Sequence, residues 1–418
     1  MLTELFPRAH GRFESLPVLG SVVDGLAKWL FGHGYTRSSV RRLVRCTRHI
    51  DRALRRRGVR QLGEITAEAL QRGAPPPRSP REVDLAAAVR CLHRYLEERG
   101  LVAALPAPLS QSDTLLAAYA AFLQDVRGFS SRTVIAHVRS SAELLQHLDY
   151  EAIPSRLCAL SGRDLEEFLQ VVGRRQARAS LQHVVAHLRG FLRFLAVHGE
   201  LRSGLEIQID TPRVYRGEQL PRALPWETVQ GFLQAIDRRT AMGRRDYAMF
   251  LLIATYGLRS SEVAALTLDA IDWRARRIRI SPRKGGHPLL LPLTDEVGAA
   301  LAAYLRQARP PLLCREVFLR CRAPAGVLKP TAVTEAFQGW SRRSGLKISF
   351  QGPHCLRHSY AVYLLRRGVA LKTIGDILGH RSAEATCMYL RLSVDDLREV
   401  ALCLPRHDVK TRSEEIEP

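Results

Sequence analysis

The apolar positions in the first half of the chain recur at helical spacing, in two stretches that echo one another. In the first, Val22, Leu26 and Trp29 share a helix face and precede Gly34-Tyr35-Thr36. In the second, Leu115, Tyr119, Phe122 and Val126 do the same and precede Gly128-Phe129-Ser130. Each stretch then opens a longer amphipathic helix. Its stripe is Val40, Leu43, Thr47, Ile50, Leu54 in one copy and Val134, Val138, Ala142, Leu145, Leu148 in the other. Each copy closes with a helix that runs into glycine, a common helix stop. Arg90, Arg94, Tyr95, Leu96 and Gly100 match Arg189, Arg193, Phe194, Leu195 and Gly199 at a constant offset of 99. The pattern predicts two all-helical domains, 21–105 and 110–202, behind a lead segment, 1–20. Pro106 and Pro108 part them, and Pro75, Pro76, Pro77 and Pro80 interrupt the first.

A polar stretch with Pro212 and Pro221 reads as a linker, 203–222. Beyond it the pattern changes. Val229, Phe232, Leu233 and Ile236 make one helix face, and Asp246 to Thr255 is a largely apolar helix ending at Gly257. Arg276–Ser281 alternates, Pro288–Leu293 is apolar, and Gly285-Gly286 lies between, which predicts a β-hairpin. Thr294-Asp295-Glu296 supplies a cap and first-turn acids for a helix through Leu305. The expected architecture is therefore mainly α. A mixed, mostly helical domain with a small antiparallel sheet spans 223–405, and a charged tail follows, 406–418.

Length and composition sharpen this picture. At 418 residues, more than one domain is expected. No apolar run approaches the roughly 20 residues of a membrane span, and Met1–Gly20 lacks the basic start and apolar stretch of a secretory signal. A cytoplasmic, nucleoid-associated protein with reduced thiols is the expectation. The eight cysteines contain no C-x-x-C pair, and Cys314 and Cys321 are too far apart for a zinc knuckle, so no zinc site is expected. Net charge is more telling. Lys and Arg number 63 against 41 acids, a balance of +22, and all but six of the 63 are arginine. Arginine's planar fork suits phosphate oxygens, although a GC-rich genome also enriches it. Ten arginines and a single acid, Asp51, lie between Tyr35 and Arg60, which favours a nucleic-acid partner over a merely solvated helix face.

Four pieces of the second half carry candidate chemistry. In Tyr256-Gly257-Leu258-Arg259-Ser260-Ser261-Glu262, a glycine stop places Arg259 at a helix start, with Glu262 one turn on to hold its guanidinium. Lys284 sits at the hairpin tip, in Arg283-Lys284-Gly285-Gly286. In His354-Cys355-Leu356-Arg357-His358, the i, i+3 spacing sets His354 and Arg357 on one face, within reach of a single phosphate. Finally Leu378-Gly379-His380 precedes Tyr389. An unbroken helix would hold His380 and Tyr389 about 13 Å apart, but Gly379 as a stop and Ser382 as a new N-cap predict a break that brings them together.

This ordered set resembles the tyrosine recombinase (phage integrase) family, whose catalytic order is Arg, Lys, His-x-x-Arg, His or Trp, then Tyr. The matching stretches are Thr255–Leu266, Arg283–Leu293, His354–Ala361 and Leu378–Tyr389. The resemblance implies that Tyr389 attacks a scissile phosphodiester to give a 3′-phosphotyrosyl link and a free 5′-hydroxyl, without ATP or metal. It implies that His354 helps Tyr389 lose its proton, that Arg259, Arg357 and His380 bind the non-bridging oxygens, and that Lys284 protonates the leaving oxygen. Where many relatives carry a second basic residue after the hairpin lysine this chain has Gly286-His287, so Arg283 competes with Lys284. The resemblance further implies double-stranded DNA with specific recombination sites as partner, a homo-tetramer on paired duplexes, and integration or excision of a mobile element. Domain 110–202 would be the core-binding module, and 21–105 an extra DNA- or protein-contact module. The apolar segment after Tyr389 (Leu390, Leu392, Val394, Leu397, Val400) would dock on a neighbouring protomer or on its own domain. A type IB topoisomerase and a catalytically silent DNA-binding protein of the same fold are the alternatives.

Overall fold

The computed structural model describes residues 1–71, 79–102, 110–215, 221–281, 288–380 and 382–392. The chain forms two compact units, Met1–Ala103 with Gln219–Pro418, and Ala104–Glu218.

The N-terminal part of the first unit is built on three helices: α1 (Gly20–Gly32), α2 (Arg37–Arg56) and α3 (Pro80–Glu98). Gly34 takes φ +80° and turns the chain, then Thr36 caps α2 by accepting from the Ser39 N–H. Ser79 and Glu82 form a capping box on α3, with Pro80 in its first turn. Val40, Leu43, Thr47, Ile50 and Leu54 are all buried, as the stripe predicts, and Val44 joins them. Asp51 is buried too, and its carboxylate accepts from the Val18 and Leu19 N–H groups at 3.0 Å each.

The second unit repeats the plan with α4 (Gln111–Ala121), α5 (Ser131–His147), α6 (Gly162–Gly173) and α7 (Arg178–Val197). Corresponding rings meet in both: Trp29 lies 6.1 Å from Tyr95, and Phe122 lies 5.4 Å from Phe194. Gly100 and Gly199 both take positive φ after the closing helix. Between the first helix and its glycine the copies differ by one residue. Trp29 and Gly34 are five apart, Phe122 and Gly128 six. The extra residue is absorbed as a π turn, Phe122–Val126, in which the Arg127 N–H reaches back to the Phe122 carbonyl. That turn rotates the helix face, so Leu123 is buried while Val126, expected on the apolar stripe, is 70% exposed.

The rest of the first unit follows the predicted order with one strand added, the first of three: α8 (Trp226–Gln234), α9 (Ala241–Tyr256), α10 (Ser260–Ala264), strands β1 (Ile271–Asp272), β2 (Arg277–Ile280) and β3 (Leu289–Pro292), and α11 (Asp295–Gln307). The strands form one antiparallel sheet in that order, with Ile278 opposite Leu291 and Ile280 opposite Leu289. Then come α12 (Pro330–Arg343), α13 (His354–Arg366), α14 (Leu371–Leu378) and α15 (Glu384–Cys387), followed by a 3₁₀ turn, Met388–Leu392. From Ala248 to Ala254 helix α9 is apolar on every side. Ala248 to Ala254 are all buried, and α11, α12 and α13 pack around it. Among the described residues no helix is long and apolar enough to cross a membrane.

Candidate active site

Two helices end in the same way, and the ends hold two arginines. Gly257 closes α9 at φ +63° and Gly379 closes α14 at φ +65°. Carbonyls at a helix C-terminus have no intrahelical donor and carry partial negative charge, so they attract cations. Arg357, on α13 and only 3% exposed, donates to the Gly257 carbonyl and, at 2.6 Å, to the Leu378 carbonyl. Arg259, at the start of α10, donates to the Gly379 carbonyl at 3.2 Å. Glu262 grips Arg259 from the other side: its carboxylate accepts from the backbone N–H and from the guanidinium, both at 2.8 Å. The one-turn spacing predicted that second contact.

Gly257 has no room for a side chain. A Cβ there would stand 2.5 Å from Leu378 Cδ2 and 3.0 Å from Tyr360 Cδ1. Gly257→Ala is expected to cost about 3 kcal/mol, from left-handed backbone strain plus overpacking. It should lower the thermal midpoint and slow strand cleavage together. An unchanged midpoint would count against the close approach of α9 and α14.

The predicted break after α14 is present. His380 and Tyr389 stack with ring centroids 6.2 Å apart and planes at 18°. Ser382 is not the cap expected of it. The new helix has Ala383 at its N-cap with no side-chain bond, because Ser382 contributes its backbone carbonyl to the turn, accepting from Ala385. His380 is oriented by Thr386, whose hydroxyl lies 2.8 Å from Nδ1 and is itself buried.

Tyr389 is 1% exposed, and its hydroxyl lies 2.9 Å from Nδ1 of His358. Burial raises the phenol's pKa, and the positive fields of Arg357 and Arg259 oppose that rise. Burial pushes His358 down to about 4, helped by His354, Arg357, His380 and Arg222. In the tautomer of His358 that leaves Nδ1 unprotonated, the phenol O–H donates to it. His354 opens α13, its ring 5.5 Å from that of His358. Loss of hydration, then Arg357 and Arg259, lower its pKa too.

Five of the six predicted residues therefore converge: Arg259, His354, Arg357, His380 and Tyr389 are linked through hydrogen bonds, ring contacts or mutual charge effects. Lys284 lies outside the described residues, as do Arg283, Gly285, Gly286, His287, Val394, Leu397, Val400 and the tail. Two members had no assigned role from sequence. His358 lies one helical turn beyond His354, a spacing that could have drawn attention to it. Thr386 left no sequence signal at all. Among the described residues no three of His, Cys, Asp or Glu gather as a metal would require.

Comparison with known proteins gives matches along most of the chain. The pattern described as "Phage integrase family" matches residues 222–395, and "Phage integrase, N-terminal SAM-like domain" matches 116–199. The protein y4rA of Sinorhizobium fredii (strain NBRC 101917 / NGR234), named as a candidate integrase/recombinase, is 33% identical over 386 residues, covering 91% of this chain and 93% of its own. Tyrosine recombinase XerD of Listeria monocytogenes serotype 4b (strain F2365) is 28% identical over 283 residues, covering 67% of this chain and 94% of its own. Among solved structures, the XerH site-specific recombinase bound to palindromic difH substrate, a post-cleavage complex, matches with a TM-score of 0.53. It is 19% identical, over 71% of this chain and 97% of that one, and shares the fold.

Proposed function

We propose, from the premise that this chain belongs to the phage integrase family and is a tyrosine-type site-specific DNA recombinase, that Tyr389 is its nucleophile and His358 the first acceptor of the tyrosine's proton. The observation that carries this assignment is the hydrogen bond between Tyr389 and His358, inside a site where two guanidiniums bear on the same hydroxyl. The tyrosine oxygen forms a bond to the scissile phosphorus and the 5′-oxygen leaves. The enzyme then holds a 3′-phosphotyrosyl strand. Phenols ionise near pH 10, so removal of the proton must accompany attack. A neutral imidazole 2.9 Å away is placed to take it.

Arg259, Arg357 and His380 stabilise the charge that builds on the non-bridging oxygens. His354, beside His358, receives or relays the proton. Lys284 protonates the departing 5′-oxygen. The bond energy stays in the phosphotyrosine, so a 5′-hydroxyl from a second duplex reverses the step without ATP. Strand exchange joins two specific sites on double-stranded DNA in a tetramer, in the cytoplasm, for integration or excision of a mobile element. Domains 21–105, 110–202 and 223–405 divide the work into two helical contact modules and one catalytic domain.

The test is a duplex bearing the recombination site, nicked one or two bases from the cut so that the short fragment diffuses away. The protein is expected to accumulate as a denaturation-resistant adduct, with the modified peptide containing Tyr389. Relaxation of supercoiled plasmid of arbitrary sequence, without joining of two sites, would replace recombinase by topoisomerase. DNA binding without any adduct would refute the catalytic assignment.

A further inference from the structure

The arginines of α2 form one face. Arg37, Arg41, Arg45, Arg48 and Arg52 follow one another at three or four residues, opposite the buried stripe, and all but the half-buried Arg41 are exposed. Two concavities run along this face. One of about 780 Å³ is lined by Thr36, Arg37, Ser38, Arg41, Arg42 and Arg45. The other, of about 770 Å³, has Arg12, Arg42, Arg45, Arg48 and Arg52 on its walls. Arg42 and Arg45 belong to both, so the two make a continuous trough. The ring of Phe6 stiffens it, with the Arg41 and Arg45 guanidiniums 5.4 and 5.9 Å from its centre.

Glu82 and Asp84 also line the second concavity, and the nearby acids still leave most of this charge uncompensated. Asp84 pairs with Arg42, while Asp51 is buried against backbone N–H groups and pairs with Arg55. Among the described residues, Arg41, Arg45, Arg48 and Arg52 make no ion pair with a carboxylate. From Arg37 to Arg52 the helix advances about 22 Å, the length of roughly six base pairs of duplex. Helix α5, the counterpart of α2 in the other module, carries only Arg132 and Arg139. The extra charge is thus particular to the first module.

We infer that this face is a second DNA-binding surface: Arg41, Arg45, Arg48 and Arg52 grip the phosphates of a duplex, independently of base sequence. A row of planar forks at near-regular intervals suits a repeating phosphate backbone better than the irregular carboxylates of an acidic protein. The inference extends the recombinase reading, since it gives the enzyme a hold on DNA apart from the cut site.

The test measures binding of the full chain to a duplex of about 40 base pairs of arbitrary sequence between 50 and 200 mM salt. Each phosphate contact contributes about 0.9 to the slope of log K against log salt. The variant Arg45→Ala/Arg48→Ala/Arg52→Ala is expected to show a slope shallower by about 2 to 3, and Arg45→Lys/Arg48→Lys/Arg52→Lys to keep most of it. The substituted side chains are exposed, and circular dichroism verifies that α2 stays folded. A slope in the alanine variant equal to that of the wild type would overturn the inference. The same slopes are expected in a Tyr389→Phe background. Failure of adduct formation would therefore sink the catalytic assignment and leave this result standing, and the converse holds.

Discussion

Tyr389→Phe is expected to abolish the covalent adduct on a nicked site duplex while leaving the fold and DNA binding nearly intact. The change removes one oxygen and nothing else. Tyr389 is 1% exposed and packs among Ala361, Val362, Ile374 and Leu378, contacts that a phenylalanine ring keeps. The lost hydroxyl leaves Nδ1 of His358 without that partner, a cost of about 1 kcal/mol. Stability should therefore fall slightly and chemistry wholly. Denaturing electrophoresis reads the adduct, and thermal unfolding reads the fold. Adduct at wild-type yield in this variant would remove Tyr389 from the mechanism. The burial adds a second expectation. The hydroxyl faces His358 and not solvent, so the turn Met388–Leu392 must shift before phosphorus can be attacked.

Arg357→Lys is expected to slow adduct formation by about 10²- to 10³-fold, the usual loss when one charge-stabilising donor is removed from a reacting centre. Lysine keeps the charge but not the geometry. One ammonium cannot reproduce the planar fork that spans the Gly257 and Leu378 carbonyls. Those carbonyls end α9 and α14, so the change also loosens the seam between the two helices, by about 2 kcal/mol for charge-assisted hydrogen bonds. Rate and stability separate in single-turnover cleavage at saturating protein, well below the melting range. A rate within a few-fold of wild type would show that Arg357 is only a structural tie. Arg357→Ala should lose at least as much rate and more stability, since a buried carbonyl pair is left without its donor.

Much of this architecture was legible in residue order. The all-apolar run of α9, the capped start of α11 at Thr294 and the hairpin pairing Arg277–Ile280 with Leu289–Pro292 follow from local pattern and turn chemistry. The two-residue strand Ile271–Asp272 was not legible, because a segment that short has no periodicity. Val126 misled for a definite reason. Helical spacing assumes 3.6 residues per turn, and the inserted residue of the π turn breaks that assumption. The repeat that the offset of 99 suggests is mirrored in the paired rings Trp29–Tyr95 and Phe122–Phe194.

The feature most central to function divides along the same line. Sequence by itself determined which side chains were available and in what order: an arginine after a glycine stop, His-x-x-Arg on one helix, then histidine, helix break and tyrosine. Short-range physics governs each of these pieces, since φ at Gly257 and Gly379 and the turn-by-turn facing of His354 and Arg357 depend on neighbours a few residues away. Which histidine meets the Tyr389 hydroxyl was decided only in three dimensions. So was the use of two helix-end carbonyls to seat Arg259 and Arg357. These contacts join residues 31, 100 and 120 positions apart, and they exist only because α9, α13 and α14 pack around one another. Burial within that packing sets the protonation state of His358, a property that no local pattern encodes.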